Sequence, residues 1–141
     1  MVSTEAMEHI KVWRQTVSNM KGVCSAEGQI VITTRSLGFR FYAFPRDYWR
    51  FEPSDMKAIF SDCRIDAIEQ DWERPGVFLS ASIPHDFREN DLSSIRMYSM
   101  VSKTRIASDE REGVGYRSRI AYSRLKDAGY SFLSWVFARL D

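Results

Sequence analysis

The sequence contains few of the residues that mark metal centres, disulfide scaffolds or secreted proteins. The 141-residue chain has two cysteines, Cys24 and Cys63, which lie far apart and form no Cys-x-x-Cys pair. A zinc centre needs clustered thiolates or imidazoles, so we expect no metal site. Unpaired thiols suit a reducing compartment, and the N-terminus has neither the basic nor the apolar region of a signal peptide. We therefore expect a cytoplasmic protein.

Excess charge and long apolar runs are also absent. The chain has twenty Lys and Arg residues and nineteen Asp and Glu residues, which gives a formal net charge of +1. Such a chain has no bulk electrostatic attraction to nucleic acid or to an anionic membrane. No run approaches the roughly 18 apolar residues of a transmembrane helix. The composition, 44% hydrophobic and 28% charged, is that of an ordinary globular chain of one-domain length.

The N-terminal region predicts a helix followed by a strand. Ser3 or Thr4 can cap the helix, and Gly22 is a suitable residue to end it. Its apolar stripe consists of Ala6, Ile10, Trp13, Val17 and Met20. Residues 29–34 follow, with successive β-branched and apolar side chains. This pattern is typical of a strand that is covered on both faces in a parallel sheet.

The middle of the chain predicts a long loop, a short helix and a strand hairpin. Residues 35–51 lack clear periodicity, and Pro53 opens a helix as its first residue. The buried face of that helix is formed by Met56, Ile59 and Phe60. Residues 64–72 and 77–82 read as strands. The Pro75-Gly76 pair between them is typical of a type II turn, so we expect an antiparallel pair.

The C-terminal part predicts helices more than strands. Leu92, Ile95 and Tyr98 or Ser99 have helical spacing, and a charged linker over residues 107–113 follows them. Residues 115–141 look helical, with a break near Gly129. Their apolar stripe consists of Tyr130, Leu133, Val136 and Phe137, and their basic, solvated face of Arg117, Arg119, Arg124 and Lys126. We therefore divide the chain into residues 1–84 and a mostly helical extension, residues 85–141.

Three segments resemble the class I, Rossmann-like methyltransferases that depend on S-adenosylmethionine. Glu27-Gly28 before residues 29–36 is similar to the glycine pair that precedes the fifth strand of that family, although one glycine is replaced. Gly38-Phe39 and the Pro-x-Asp-Tyr-Trp-Arg-Phe motif within residues 44–51 resemble a loop of one bacterial and phage subgroup. Residues 71–79 resemble the terminal hairpin. The resemblance covers about residues 5–84 and, more loosely, residues 92–101.

The resemblance implies an α/β fold that is the C-terminal half of a Rossmann-like domain. Such domains end with a helix, strand five, a helix, strand six and an antiparallel strand seven, so the chain is expected to begin after strand four. S-adenosylmethionine is the cofactor that the family implies. Its glycine-rich turn and ribose-binding acid are missing, and Gly113-Val114-Gly115 follows a linker instead of a strand. We therefore expect no cofactor-binding residues and no tight cofactor binding by this chain alone.

The loop after the predicted strand is the candidate substrate site, because the corresponding family loop faces the methyl acceptor. Arg35 and Arg50 could hold an anionic group, Asp47 could orient the acceptor or accept a proton, and Tyr48 and Trp49 could stack on a flat acceptor. Alternatively, the aromatic residues fasten the loop to the core, and Asp47 and Arg50 satisfy loop backbone groups. Methyl transfer depends mainly on positioning, so no catalytic residue is assigned.

Three functional hypotheses remain open at this point. The first is a methyltransferase whose N-terminal half is encoded elsewhere, has been lost, or is excluded by the start codon. The second is a non-catalytic interaction or subunit module that forms a homodimer or a hetero-oligomer. The third, a small nucleic-acid-binding domain, is disfavoured by the neutral charge. His9, off the apolar stripe, and His85, in a polar turn, are expected to be solvated.

Overall fold

Two α-helices and two β-sheets make up residues 1–41 and 46–107, the part of the chain that the computed structural model describes. The chain is thus a small α/β fold. Residues 108–141 lie outside the described part. The predicted helical region 115–141, its basic face, the Gly113-Val114-Gly115 segment and most of the predicted linker all fall there.

The larger sheet has four strands in the order β1-β2-β5-β4. Strand β1 (Val2–Thr4) runs parallel to β2 (Gln29–Arg35). Strand β5 (Gly76–Ser82) lies between β2 and β4 (Arg64–Asp71) and runs antiparallel to both. The last strand of this sheet in the sequence is therefore inserted into its middle.

The predicted start of the first helix is wrong, because Ser3 and Thr4 belong to β1. A short 3-10 helix, Met7–His9, follows, and helix α1 begins at Trp13 and ends at Val23. Pairing with β2 outweighs the capping tendency of Ser3 and Thr4, since the N–H of Glu5 and the C=O of Met1 both bond to β2. Gly22 does not end α1 but lies within it.

Strand β2 is confirmed, but the prediction that it is covered on both faces is wrong. Ile30, Ile32 and Thr34 are buried, whereas Val31 and Thr33 on the opposite face are half-buried. Antiparallel pairing with β5 explains the difference, since such sheets commonly leave one face towards solvent.

The β4–β5 hairpin is confirmed, but its turn is built differently from the prediction. Asp71 Oδ1 accepts hydrogen bonds from the backbone N–H groups of Glu73 and Arg74, both at 3.0 Å. Gly76 lies in the strand, and among the described glycines only Gly38 has a positive φ. A side chain at position 76 would be crowded, because an added Cβ would lie 3.0 Å from the Thr34 carbonyl oxygen.

Helix α2 (Pro53–Ile59) confirms the prediction of a proline-initiated helix. Glu52 and Asp55 form a capping box at its start, in which Asp55 Oδ2 accepts from the Glu52 N–H at 2.9 Å. Met56, Ile59 and Phe60 are fully buried, as expected.

A second, three-stranded sheet replaces the predicted helix over residues 92–99. Its antiparallel strands are β3 (Trp49–Arg50), β6 (Met97–Ser99) and β7 (Arg105–Ile106). Pairing of β6 with β3 fixes an extended backbone where spacing alone suggested a helix. Leu92 and Met97 join the main core, so the described part of 85–141 packs against the first 84 residues. The division at residue 84 itself stays a prediction.

The core lies between one face of the larger sheet and the helices. Trp13 meets Phe51 edge to face, with ring centroids 6.4 Å apart. Other fully buried members are Met7, Val17, Ile30, Ile32, Met56, Ile59, Phe60, Ala81 and Met97.

A buried ion pair joins α1 to the segment after α2. Lys21 Nζ donates to both carboxylate oxygens of Asp62 at 2.7 Å and to the Ile59 carbonyl oxygen at 2.8 Å. The side chains of Lys21 and Asp62 are 0% and 1% exposed. Desolvation makes such a pair costly to break, since either partner alone would be an uncompensated buried charge.

We predict that Asp62→Ala lowers the free energy of unfolding by about 3–5 kcal/mol, because it leaves the Lys21 ammonium buried without its counter-ion. Urea unfolding followed by circular dichroism measures the change. The double variant Lys21→Met/Asp62→Leu is the control and should recover most of the loss. Equal loss in the single and double variants would contradict a charge-based cause.

Candidate functional site

The carboxyl ends of β1 and β2 meet at one edge of the larger sheet, because these two strands are parallel. Ligands of open α/β sheets bind beyond such ends. Glu5 and Glu8 follow β1, and Ser36 and the predicted substrate loop follow β2. This carboxyl edge is therefore the candidate site.

Glu5 and Arg35 pair across the carboxyl edge. The Glu5 N–H donates to the Thr33 carbonyl oxygen at 2.9 Å, and Glu5 Oε1 accepts from Thr33 Oγ1 at 3.0 Å. Its other carboxylate oxygen contacts Arg35 Nε in an ion pair. The Arg35 guanidinium also lies over the Phe39 ring, 4.2 Å from its centroid. Glu5 has a φ of 50°, so the chain turns sharply at the end of β1.

Glu8 is a buried acid on the core side of the same edge. It is 1% exposed, and its Oε2 accepts from Thr34 Oγ1 at 2.8 Å. Desolvation raises the pKa of the Glu8 carboxyl above its usual value, and hydrogen bonds from its own backbone and from Thr34 oppose the shift in part.

His9 lies beside Glu8, with its Nε2 3.8 Å from Glu8 Oε1 and its side chain 18% exposed. Its Nδ1 lies 2.8 Å from the Arg46 carbonyl oxygen. A carbonyl oxygen only accepts, so Nδ1 carries a hydrogen in this contact. The expectation of a solvated His9 came from placing it on an α-helix, whereas the 3-10 helix turns the ring towards the loop. His85 is 81% exposed.

Asp47 and Arg50 form a buried bidentate ion pair inside the loop. Arg50 Nη1 donates to Asp47 Oδ1 at 2.5 Å and Nη2 to Oδ2 at 2.7 Å. The guanidinium also donates to the carbonyl oxygens of Trp49, at 2.8 Å, and Arg40, at 2.9 Å. Asp47 and Arg50 are both 0% exposed. The pair thus joins Arg40 to the part of the chain that leads into β3.

Tyr48 and Trp49 attach this loop to the segment after β1. The Tyr48 N–H donates to the Glu8 carbonyl oxygen at 2.8 Å, and Trp49 Nε1 donates to the Ile10 carbonyl oxygen at 3.0 Å. Tyr48 is 7% exposed and Trp49 4%. Little of either ring is left for stacking on a ligand in this conformation.

The structure thus divides the five predicted substrate-binding residues. Asp47, Tyr48, Trp49 and Arg50 are buried supports of the loop, and Arg35 stands at the carboxyl edge with part of its side chain exposed. Substrate binding by all five stays a prediction.

Sequence reasoning missed Glu5, Glu8 and His9. The signal was the presence of Glu5 and Glu8 within four residues of Thr4, and it was missed because Ser3 or Thr4 was interpreted as a helix cap. A strand assignment would have placed these residues at the carboxyl end of β1.

Two open clefts lie elsewhere in the described residues. One, of about 320 Å³, is lined by α1 and residues 89–93, and the other, of about 300 Å³, by Met1, Val23 to Ser25, Gly28 and Gln29. Neither includes the carboxyl-edge residues. Within residues 1–41 and 46–107 no cluster of His, Cys, Asp and Glu could hold a metal ion, and no helix is long and apolar enough to cross a membrane.

Comparison of the chain with protein-family models, with curated proteins and with solved structures finds no match.

We predict that Glu8→Gln changes the pH dependence of stability. Because the folded-state pKa of Glu8 is raised, the folded chain retains this proton to higher pH than the unfolded chain. The contribution of this proton to the free energy of unfolding is fully present below the pKa of Glu8 in the unfolded chain, about 4.3. It is lost as the pH rises through the pKa of Glu8 in the folded chain. Glutamine does not titrate, so the variant does not lose this contribution. Its free energy of unfolding should therefore rise relative to that of wild type as the pH increases.

Urea unfolding at a series of pH values from about 4 to about 8 measures this relative gain. Glu5→Gln is the matched control, because it removes a carboxylate that is 40% exposed at the same edge. A relative gain of the same size in both variants would contradict a cause specific to burial.

We predict that Arg50→Met lowers the free energy of unfolding by about 3–5 kcal/mol, because Asp47 becomes an unpaired buried charge. Arg50→Lys should cost less, since it keeps the charge but loses the bidentate geometry. Urea unfolding gives the energies, and hydrogen exchange at the Tyr48 amide reports on the loop. Unchanged stability in Arg50→Met would show that the pair does not hold the loop.

Proposed function

We propose that this chain is the C-terminal, acceptor-side half of a class I methyltransferase-like domain. The observation that carries the proposal is the strand order β1-β2-β5-β4, in which β5 is antiparallel to both of its neighbours. An antiparallel final strand next to a parallel pair is the arrangement with which the resembled fold ends.

The order of elements along the chain supports the same proposal. Helix α1 separates β1 from β2, helix α2 separates β2 from β4, and the β4–β5 hairpin follows. On this interpretation β2, β4 and β5 are strands five, six and seven. Strand β1 then takes the place of strand four, which the sequence-based expectation had put before the start of the chain.

The carboxyl edge supplies the acceptor side in this proposal. The buried Asp47–Arg50 pair and the Tyr48 and Trp49 anchors shape the loop, while Arg35 and Glu5 stand at its rim. Their role is to orient an acceptor, and a positioned acceptor is most of what methyl transfer requires.

The described residues do not fit S-adenosylmethionine. On this assignment β1 is strand four, so the glycine-rich turn after strand one and the ribose-binding acid after strand two have no counterpart among the described residues. We therefore assign no cofactor contact to residues 1–41 and 46–107.

A second candidate function is a non-catalytic interaction module derived from such a domain. One sheet face and the outer edge of β1 favour it, because Val2 is 68% exposed and Phe78 43% exposed. Such a module would act by pairing with itself or with another chain.

Calorimetric titration of the purified chain with S-adenosylmethionine and S-adenosylhomocysteine tests the proposal. We expect no binding in the micromolar range, because the cofactor-side strands have no counterpart among the described residues. A chimera carrying strands one to three of a characterised class I methyltransferase before Met1 should, in contrast, fold and bind S-adenosylhomocysteine.

Circular dichroism confirms that each titrated sample is folded. Micromolar binding by the chain alone would overturn the half-domain proposal. A folded chimera without binding would count against the methyltransferase assignment and favour the interaction module.

A further inference from the structure

The two edges of the larger sheet differ in how they are protected. Strand β4 forms one edge and has the features of a solvent-facing edge strand, since it is interrupted by a bulge between Ile65 and Ala67. Half of its eight residues are charged, namely Arg64, Asp66, Glu69 and Asp71. Its backbone is thereby protected against pairing with another strand.

Strand β1 forms the opposite edge, and apart from its length of three residues it has neither the bulge nor the charges that protect β4. Its residues Val2, Ser3 and Thr4 are uncharged, contain no proline and pair regularly with β2. Val2 is 68% exposed, and its neighbour in register on β2 is the half-buried Val31. An uncharged edge next to apolar surface is suited to pairing.

The hydrogen bonds to β2 show which backbone groups of β1 point outwards. Met1 N and O both bond to β2, through the Gln29 carbonyl oxygen and the Val31 N–H, and the Glu5 N–H donates to Thr33. The backbone N–H and C=O groups of Met1, Ser3 and Glu5 therefore face β2. The N–H and C=O groups of Val2 and Thr4 face away from it, because alternate residues of a strand point to opposite sides.

A two-fold axis through Ser3 would place the outward N–H and C=O groups of one copy opposite the C=O and N–H groups of a second copy. Antiparallel pairing would place Val2 opposite the partner subunit's Thr4, and Thr4 opposite the partner subunit's Val2. Each pair would exchange both of its N–H···O bonds, so four bonds would satisfy all eight outward groups. Uncharged side chains on Val2 and Thr4 bring no like charges together across the pair.

We propose that a second copy of this chain docks on β1 by antiparallel pairing across Ser3, which makes one continuous eight-stranded sheet in a symmetric dimer. This inference does not depend on the proposed function, and the dimer would use the same edge of β1 at which an added N-terminal half would pair. Each carboxyl edge follows β1 directly, so the pairing would also set the two candidate sites on either side of the dimer axis.

Sedimentation velocity and size exclusion with light scattering, over a range of chain concentrations, give the oligomeric state. We expect a dimer that Val2→Pro weakens about thirtyfold, because proline removes the outward N–H of Val2 in both subunits. Val2→Thr keeps that N–H and is the matched control, with a much smaller effect. A monomer at all concentrations, or a dimer indifferent to Val2→Pro, would overturn the proposal.

A disulfide tests the register independently. In a background with Cys24 and Cys63 replaced by serine, Ser3→Cys should cross-link on oxidation, since a non-hydrogen-bonded antiparallel pair has Cα atoms about 4.5 Å apart. Thr4→Cys should not cross-link, because its diagonal copy would lie about 7–8 Å away.

Preferential cross-linking through Thr4→Cys would overturn this register. A monomer whose Val2 and Thr4 amides exchange slowly would also overturn the proposal, because the edge would then be covered without a second copy.

Discussion

The pairing of β2 in two directions is the constraint on which the rest of the structure depends. Parallel pairing with β1 brings the carboxyl ends of two strands together and so creates the edge at which Glu5 and Arg35 meet. Antiparallel pairing with β5 fixes the alternation that buries Ile30 and Ile32 against the helices and leaves the other face towards solvent. The candidate site and the core are two consequences of this one strand.

Buried polar groups hold the loops and helices around that strand. The Asp47–Arg50 pair closes the loop after β2, the Lys21–Asp62 pair joins α1 to the end of α2, and Glu8 bonds to Thr34 of β2. Burial removes these polar groups from water, so each group needs its hydrogen-bonding or ion-pairing partner to compensate for the lost hydration. Such groups make the geometry specific, because a displaced loop would leave a charge buried without compensation.

The candidate site and the exposed edge of β1 point to one functional organisation. The strand order carries the proposal of an acceptor-side half-domain, and that proposal assigns no contact with S-adenosylmethionine to the described residues. The uncharged outer edge of β1 lies beside the carboxyl edge. A further strand would have to pair with this outer edge to enlarge the site. Pairing with another polypeptide and completing a site would therefore involve the same corner of the sheet.

The sequence by itself determined the elements whose signals are local. Pro53 predicted α2, and the β-branched run and the Pro75-Gly76 segment predicted β2 and the β4–β5 hairpin. Of the candidate site it identified the loop and Arg35. Only the tertiary structure decided that Ser3 and Thr4 form a strand, that residues 97–99 pair with β3, and that Asp47 and Arg50 are buried together. Paired strands are distant along the chain, and the burial of an ion pair depends on the surrounding fold. Short-range periodicity therefore predicts neither of them.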